Sequence, residues 1–161
     1  MGLVLAMAVI QPIWAQLVAG GYEDKLYQQI ENEKNADKKI QLLLTFEKTY
    51  PKSSALVDVD VNLMGLYQQK NDSAKTIEYG EKAIKLDGEN IAALVAVARE
   101  YAVQKKNLDR ALAYAQKAVD TVVKMKSQPV PGSYSPAQWK QYIDSTESTA
   151  RGILAYVKSV G

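Results

Sequence analysis

Two stretches of this chain, 55–90 and 90–124, repeat one order of side chains. In the first, Leu63, Met64 and Tyr67 lead to a polar turn at Asn71-Asp72, then to Thr76, Gly80 and Ala83 with Ile77 and Ile84 among them. In the second, Val97, Ala98 and Tyr101 lead to Asn107, then to Ala111, Ala115 and Ala118 with Leu112 and Val119 among them. A small residue every three or four positions lines one face of a helix. Two helices joined by a short turn approach closely only where the side chains between them are small, and the tyrosine can fill the gap between one pair and the next. Such self-similarity predicts stacked helical hairpins rather than a single closed core.

The rest of the chain reads as helix too. Tyr22, Leu26, Tyr27 and Ile30 form one stripe over about Tyr22–Glu33. Asn35 is expected to cap a second helix, with Ile40, Leu43, Leu44, Phe46 and Tyr50 inward and Pro51 ending it. Ser53 or Ser54 caps a third helix to about Gln69, and Asp72 a fourth, which ends near Asp87-Gly88 with the glycine as its left-handed terminator. A fifth spans about Asn90–Gln104, and Asn107 caps a sixth over about Leu108–Lys126. Two prolines and a glycine make Gln128–Tyr134 the one long loop. Ser135-Pro136 then opens a last helix to about Val160. Val57–Val61 alternates with period two like a strand, but the stripe at Leu63, Met64 and Tyr67 follows at once and a lone strand would have nothing to pair with. It is read as helix.

The hairpin pattern resembles the tetratricopeptide (TPR) repeat, a helix–turn–helix of about 34 residues. Glu78–Asn90 is similar to the family's second helix and exit turn, with Gly88 where the family usually has proline, and Asp109–Val119 is as close. Asp60 stands where the family has its first large apolar residue, Met64 replaces a small one, and one extra residue lies between Tyr101 and Ala111. A weaker copy covers about Tyr22–Ser54, with Ile40, Leu43 and Phe46 at the small positions. The resemblance implies an all-α, right-handed solenoid of antiparallel hairpins, about three of them plus a C-terminal helix. Thr149–Gly161 looks like the first helix of a further repeat, so it reads either as a terminal cap or as part of a longer array.

Charge is unevenly spread. Residues 1–22 hold no Asp, Glu, Lys or Arg. An apolar run from Leu3 to Ile10 meets Gln11-Pro12, and small residues follow at Ala15, Ala19 and Gly20. Residues 1–20 are therefore expected to be a secretory signal peptide, cut after Ala15, although a basic n-region is missing. An uncleaved membrane anchor and a buried first helix are the alternatives, the anchor being opposed by Pro12 and the short run. The folded domain is then 21–161, exported to the periplasm or secreted, and membrane-bound only if the leader stays. Without cysteine an exported protein has no disulfide, so packing alone must hold it.

Function classes fall away by composition. The 161 residues include no His and no Cys, which removes the commonest general base, metal ligands and thiol nucleophile. With 20 basic against 18 acidic residues, the net charge of +2 gives no reason to expect nucleic acid. Asp58 and Asp60 are two apart on a helix and do not face each other. No Ser-x-x-Lys occurs, so Ser73, Ser127, Ser133 and Ser135 read as caps and turns. Lys105-Lys106 reads as solvated charge, and Asn71-Asp72-Ser73, a sequon, as a turn. There is no glycine-rich phosphate loop. Tyr134, Trp139 and Tyr142 cluster about the proline loop and are read as packing for the last helix. Neither an enzyme nor a cofactor is expected.

The resemblance places a partner groove on the exposed side of each first helix. The residues it assigns are Gln28 and Asn32, with Asp24, in the weak copy; Asp58, Asn62 and Gln69, with Val61 and Gly65, in the next; and Val95 and Arg99, with Ala92, Ala96 and Val103, in the third. Only Arg99 is basic, unlike grooves that clamp a peptide carboxylate with several Lys and Asn, so an apolar or amide-rich protein segment is the expected partner.

Overall fold

The computed structural model describes residues 13–161, with side-chain surroundings from Gly21 onward. Seven helices and no strand occur among the described residues: α1 (Ile13–Asn32), α2 (Ala36–Thr49), α3 (Leu56–Gln69), α4 (Ser73–Leu86), α5 (Ile91–Gln104), α6 (Leu108–Lys126) and α7 (Pro136–Val160). The chain divides into two compact units, one ending at Pro51 and one from Lys52 to Gly161. Val57–Val61 is helical.

In the first unit α1 packs on α2. Its core is Ile30, Ile40, Leu43 and Phe46, and the Phe46 ring meets Tyr27 edge-on at 5.7 Å and Tyr50 at 5.1 Å. Asn35 caps α2 by accepting from the Lys38 amide at 3.0 Å. Helix α1 begins at Ile13, well before the start expected at Tyr22. Between Pro12 and Asn35 the sequence holds no proline, and Gly20-Gly21 lowers helix propensity by about 1 kcal/mol each without removing a hydrogen bond. The expected domain boundary after residue 20 thus falls within α1, while most of the leader, residues 1–12, lies outside the described residues.

In the second unit each helix packs on the next, and α5 also packs on both α3 and α7. The small-residue faces are where the spacing puts them. Thr76, Gly80 and Ala83 on α4 are buried, as are Ala111, Ala115 and Ala118 on α6. A Cβ added to Gly80 would run into Val97 Cγ2 and lie 3.2 Å from Met64 Sδ, so any larger residue there must displace those side chains of α3 and α5. On the last interface Leu94 clusters with Ile143 and Ala150, and Tyr101 and Ala102 with Val157, so α7 runs in the same direction as α5.

The turns after α3 and α5 are alike. Asn71 (φ 57°) and Lys105 (φ 50°) take the left-handed conformation. The next amide, of Asp72 or Lys106, donates back to the carbonyl of Tyr67 or Tyr101 at 2.9 and 3.0 Å, closing a Schellman turn. The extra residue of the second hairpin is absorbed just beyond, at Asn107 (φ 48°). That conformation turns Asn107 away from capping, and its side chain makes no cap bond, whereas Asp72 accepts from the Lys75 amide at 3.0 Å. Two other expected end signals also differ. Helix α3 starts after Ala55 with no side-chain cap, the Ser53 hydroxyl accepting instead from the Ala55 amide at 3.0 Å. Gly88 is not left-handed, because extended Asp87 (φ −132°) already ends α4. Ser135 caps α7 in a reciprocal box with Gln138.

Candidate functional site

Helix α5 organises the candidate face of the second unit. Its inner side carries Leu94, Val97, Ala98, Tyr101 and Ala102, all buried. Its outer side presents Ala92, Val95, Arg99 and Val103 at helical spacing. Ala96, also expected on the outer side, is buried; at about 100° per residue it lies between exposed Ala92 and buried Ala93, at the edge of the outer stripe.

Two clefts flank this stripe. The first, of about 250 Å³, lies between α5 and α7 and is lined by Ile91, Ala92, Val95, Tyr142, Ser145, Thr146 and Thr149. The second, of about 510 Å³, lies among α3, α4 and α5, and its lining includes Gly65, Gln68, Gln69, Ser73, Arg99, Glu100 and Val103. Gln69 and Arg99, far apart in sequence, are thus brought to one cleft, and Val95 stands one turn away in the other. Asp58 and Asn62 are exposed on α3 and line neither; the Asn62 amide donates to the Asp58 carbonyl at 2.8 Å. Gln28 and Asn32 belong to the first unit, where they line a cleft of about 730 Å³ with Lys25, Gln29, Glu33, Lys34 and Leu42. The Asn32 side chain there donates to the Gln28 carbonyl at 2.9 Å.

Sequence reasoning missed the α7 wall of the first cleft. The signal was available: Tyr142, Ser145, Thr146 and Thr149 recur at helical spacing downstream of the Ser135 cap. The three hydroxyls of that wall donate to their own helix, Ser145 and Thr146 to the Tyr142 carbonyl at 2.9 and 2.7 Å, and Thr149 to the Ser145 carbonyl at 3.0 Å. Their hydrogens are used, and their lone pairs remain as acceptors. Tyr134, Trp139 and Tyr142 gather at the start of α7 with ring centroids 5.4 to 5.9 Å apart. Trp139 packs against the Leu94–Val122 core, while Tyr134 and Tyr142 stay 40% exposed.

The charges on the face differ in their engagement. The Ser73 hydroxyl donates to the Glu100 carboxylate. The Arg99 guanidinium has no hydrogen-bond or ion-pair partner among the described residues. A second charged cluster joins α4, α5 and α6. Glu81 accepts from the Tyr101 and Tyr114 hydroxyls at 2.9 Å each and from Arg110 at 2.6 Å. Arg110 also sits over both rings, 5.6 and 5.5 Å from their centroids. Burial, then the bond to Glu81, pushes the Tyr101 hydroxyl above its ordinary value. Burial likewise raises Tyr114 against the opposing pull of Arg110. Through Glu81 this cluster ties α4 to α5 and α6 and braces successive hairpins.

Among the described residues, no group of three or more His, Cys, Asp or Glu could hold a metal ion. No described helix is long and apolar enough to cross a membrane. No family model matches the chain, and no curated relative matches it either.

Proposed function

We propose that this chain is a non-catalytic interaction module of the tetratricopeptide type, a right-handed solenoid of hairpins that holds a peptide or a partner helix in a concave groove. The observation that carries the reading is the packing order of the second unit: α3 meets α5 and α5 meets α7, with α4 and α6 bridging successive pairs. First helices that touch one another in series give a continuous binding face. Its lining supports the partner class, since the α5 stripe is short, apolar and singly charged. The reading includes export, supported by the charge-free leader alone; N-terminal sequencing of the protein from its own cells tests it, a start after Ala15 or Gly20 being expected. The rival reading is a spacer within an envelope-anchored array, and it draws on one feature: α7 stands on α5 and α6 as α5 stands on α3 and α4.

The test is a comparison of variants. The full chain, Arg99→Glu and Ala92→Arg are used as bait in extract of the source cells, with helicity checked by circular dichroism. Loss of the same bound protein from both variants supports groove binding. Capture unchanged by both places the site elsewhere, and no capture by any bait favours the spacer.

A further inference from the structure

Helices α3 and α4 each hold one glycine, and packing explains only the second. A Cβ on Gly80 would strike Val97. A Cβ on Gly65 would meet nothing within 4 Å. A glycine in a helix interior costs stability relative to alanine, and no contact within the fold accounts for this one. Gly65 lines the cleft among α3, α4 and α5, where the missing side chain leaves the backbone open to whatever enters.

The same cleft holds a cation and an anion that do not pair with each other. Arg99 and Glu100, successive residues of α5, both line it. The Arg99 guanidinium has no hydrogen-bond or ion-pair partner among the described residues. Glu100 is half-buried; its Oε2 accepts from the Ser73 hydroxyl, and its Oε1 accepts from no described residue. From α3 the cleft receives Gln68 and Gln69, whose amides can both donate and accept.

Two opposite charges side by side on one helix suit a ligand whose own opposite charges are side by side. A free α-amino acid carries its carboxylate and its ammonium on one carbon. A segment inside a peptide chain has lost both to its amide bonds. We propose that the cleft around Gly65 binds a free α-amino acid with an uncharged polar side chain. Its carboxylate rests on Arg99, its ammonium on Glu100, and its side chain passes over Gly65 to the Gln68 and Gln69 amides. This goes beyond the groove reading, since it needs no protein partner.

The experiment titrates the full chain with L-glutamine and three derivatives, followed by saturation transfer from protein to ligand protons. N-acetyl-L-glutamine lacks the ammonium, L-glutaminamide lacks the carboxylate, and N-acetyl-L-glutaminamide lacks both. L-glutamine is expected to bind saturably, and each singly blocked derivative about tenfold more weakly, the size of one hydrogen bond to a charged group. Arg99→Gln should weaken L-glutamine about tenfold and leave L-glutaminamide unchanged. Glu100→Gln, which keeps an acceptor for Ser73, should weaken L-glutamine as much and leave N-acetyl-L-glutamine unchanged. Gly65→Leu has room for its side chain and raises helix propensity, so it should fold and abolish binding. No saturable binding of L-glutamine by the wild type, or binding that survives Gly65→Leu, overturns the proposal. So does binding of N-acetyl-L-glutaminamide as tight as that of L-glutamine, which would mark the cleft as a peptide site and leave the groove reading standing.

Discussion

The hairpins α3–α4 and α5–α6 reach the same close packing with different residues. Thr76, Gly80 and Ala83 do for α4 what Ala111, Ala115 and Ala118 do for α6, and both sets are buried. The turns are also shared, each closed on the carbonyl of the repeat tyrosine. The tyrosine side chains then part company. Tyr67 stacks on Tyr79, nearly parallel at 5.5 Å, and stays half-buried. Tyr101 is buried, and its hydroxyl is bonded to Glu81 beneath Arg110. Backbone approach is thus set by side-chain volume at three positions and by one turn geometry, while the filler between hairpins is free to be a ring stack or a charged brace. The α1–α2 hairpin shows the other extreme, with Leu43 and Phe46 buried and the space filled by aromatic rings.

The sharpest way to break the equivalence is to enlarge one small position. Ala115→Leu is expected to cost about 3 kcal/mol, the upper end for overpacking a close helix contact, read as a lower urea midpoint at constant slope. Gly80→Ala, at the matching place in α4, is expected to cost about 1–2 kcal/mol despite the roughly 1 kcal/mol that alanine adds to a helix. Gly152→Ala is the control: nothing lies within 4 Å of its added Cβ, so stability should rise by about 0.5–1 kcal/mol. A neutral Gly80→Ala would mean that α4 does not approach Val97 closely.

The tyrosines give the next contrast. Tyr101→Phe removes a hydroxyl from a carboxylate and should lower stability by about 1–2 kcal/mol. Tyr67→Phe, whose hydroxyl makes no bond among the described residues, should change it by no more than a few tenths. Equal effects would dissolve the distinction between brace and stack. The smallest difference is electrostatic. Glu89, at the turn into α5, accepts from Lys124 at 2.8 Å, and its counterpart before α3 is the uncharged Ala55. The Lys124 hydrogen bond first, then its charge, holds the Glu89 carboxyl below its ordinary 4.5. A depressed folded value means that the contribution is whole above 4.5 and is lost as pH falls through the folded value. Glu89→Gln should therefore flatten part of the acid-side fall in urea midpoint while leaving the midpoint at neutral pH slightly lower.

What could be read in advance follows the range of the interaction. Asn35, Asp72 and Ser135 cap helices because the bond is closed within three residues, and α6 and α7 begin and end where local signals place them. The small-residue faces were legible because volume and spacing are properties of the sequence itself. Gly88 and Asn107 were misjudged because each depends on the conformation of its neighbours: Asp87 ends α4 before a glycine is needed, and the inserted residue after α5 takes the cap's place. The candidate face was half legible. Arg99, Gln69 and Val95 line clefts, but Asp58 and Asn62 do not; the face Tyr142, Ser145, Thr146 and Thr149 of the α7 wall is visible in the local spacing, but that it meets α5 is a long-range contact that spacing does not state.

The most direct test of the binding face is residue-resolved. Backbone amide spectra of the isotopically labelled chain, recorded while the bound peptide segment of the captured partner is added, should show the largest shifts at Ala92, Val95 and Arg99 of α5 and at Ser145, Thr146 and Thr149 of α7, with the outer surfaces of α4 and α6 unchanged. Shifts concentrated on α4 and α6, or none at saturating peptide, would contradict it.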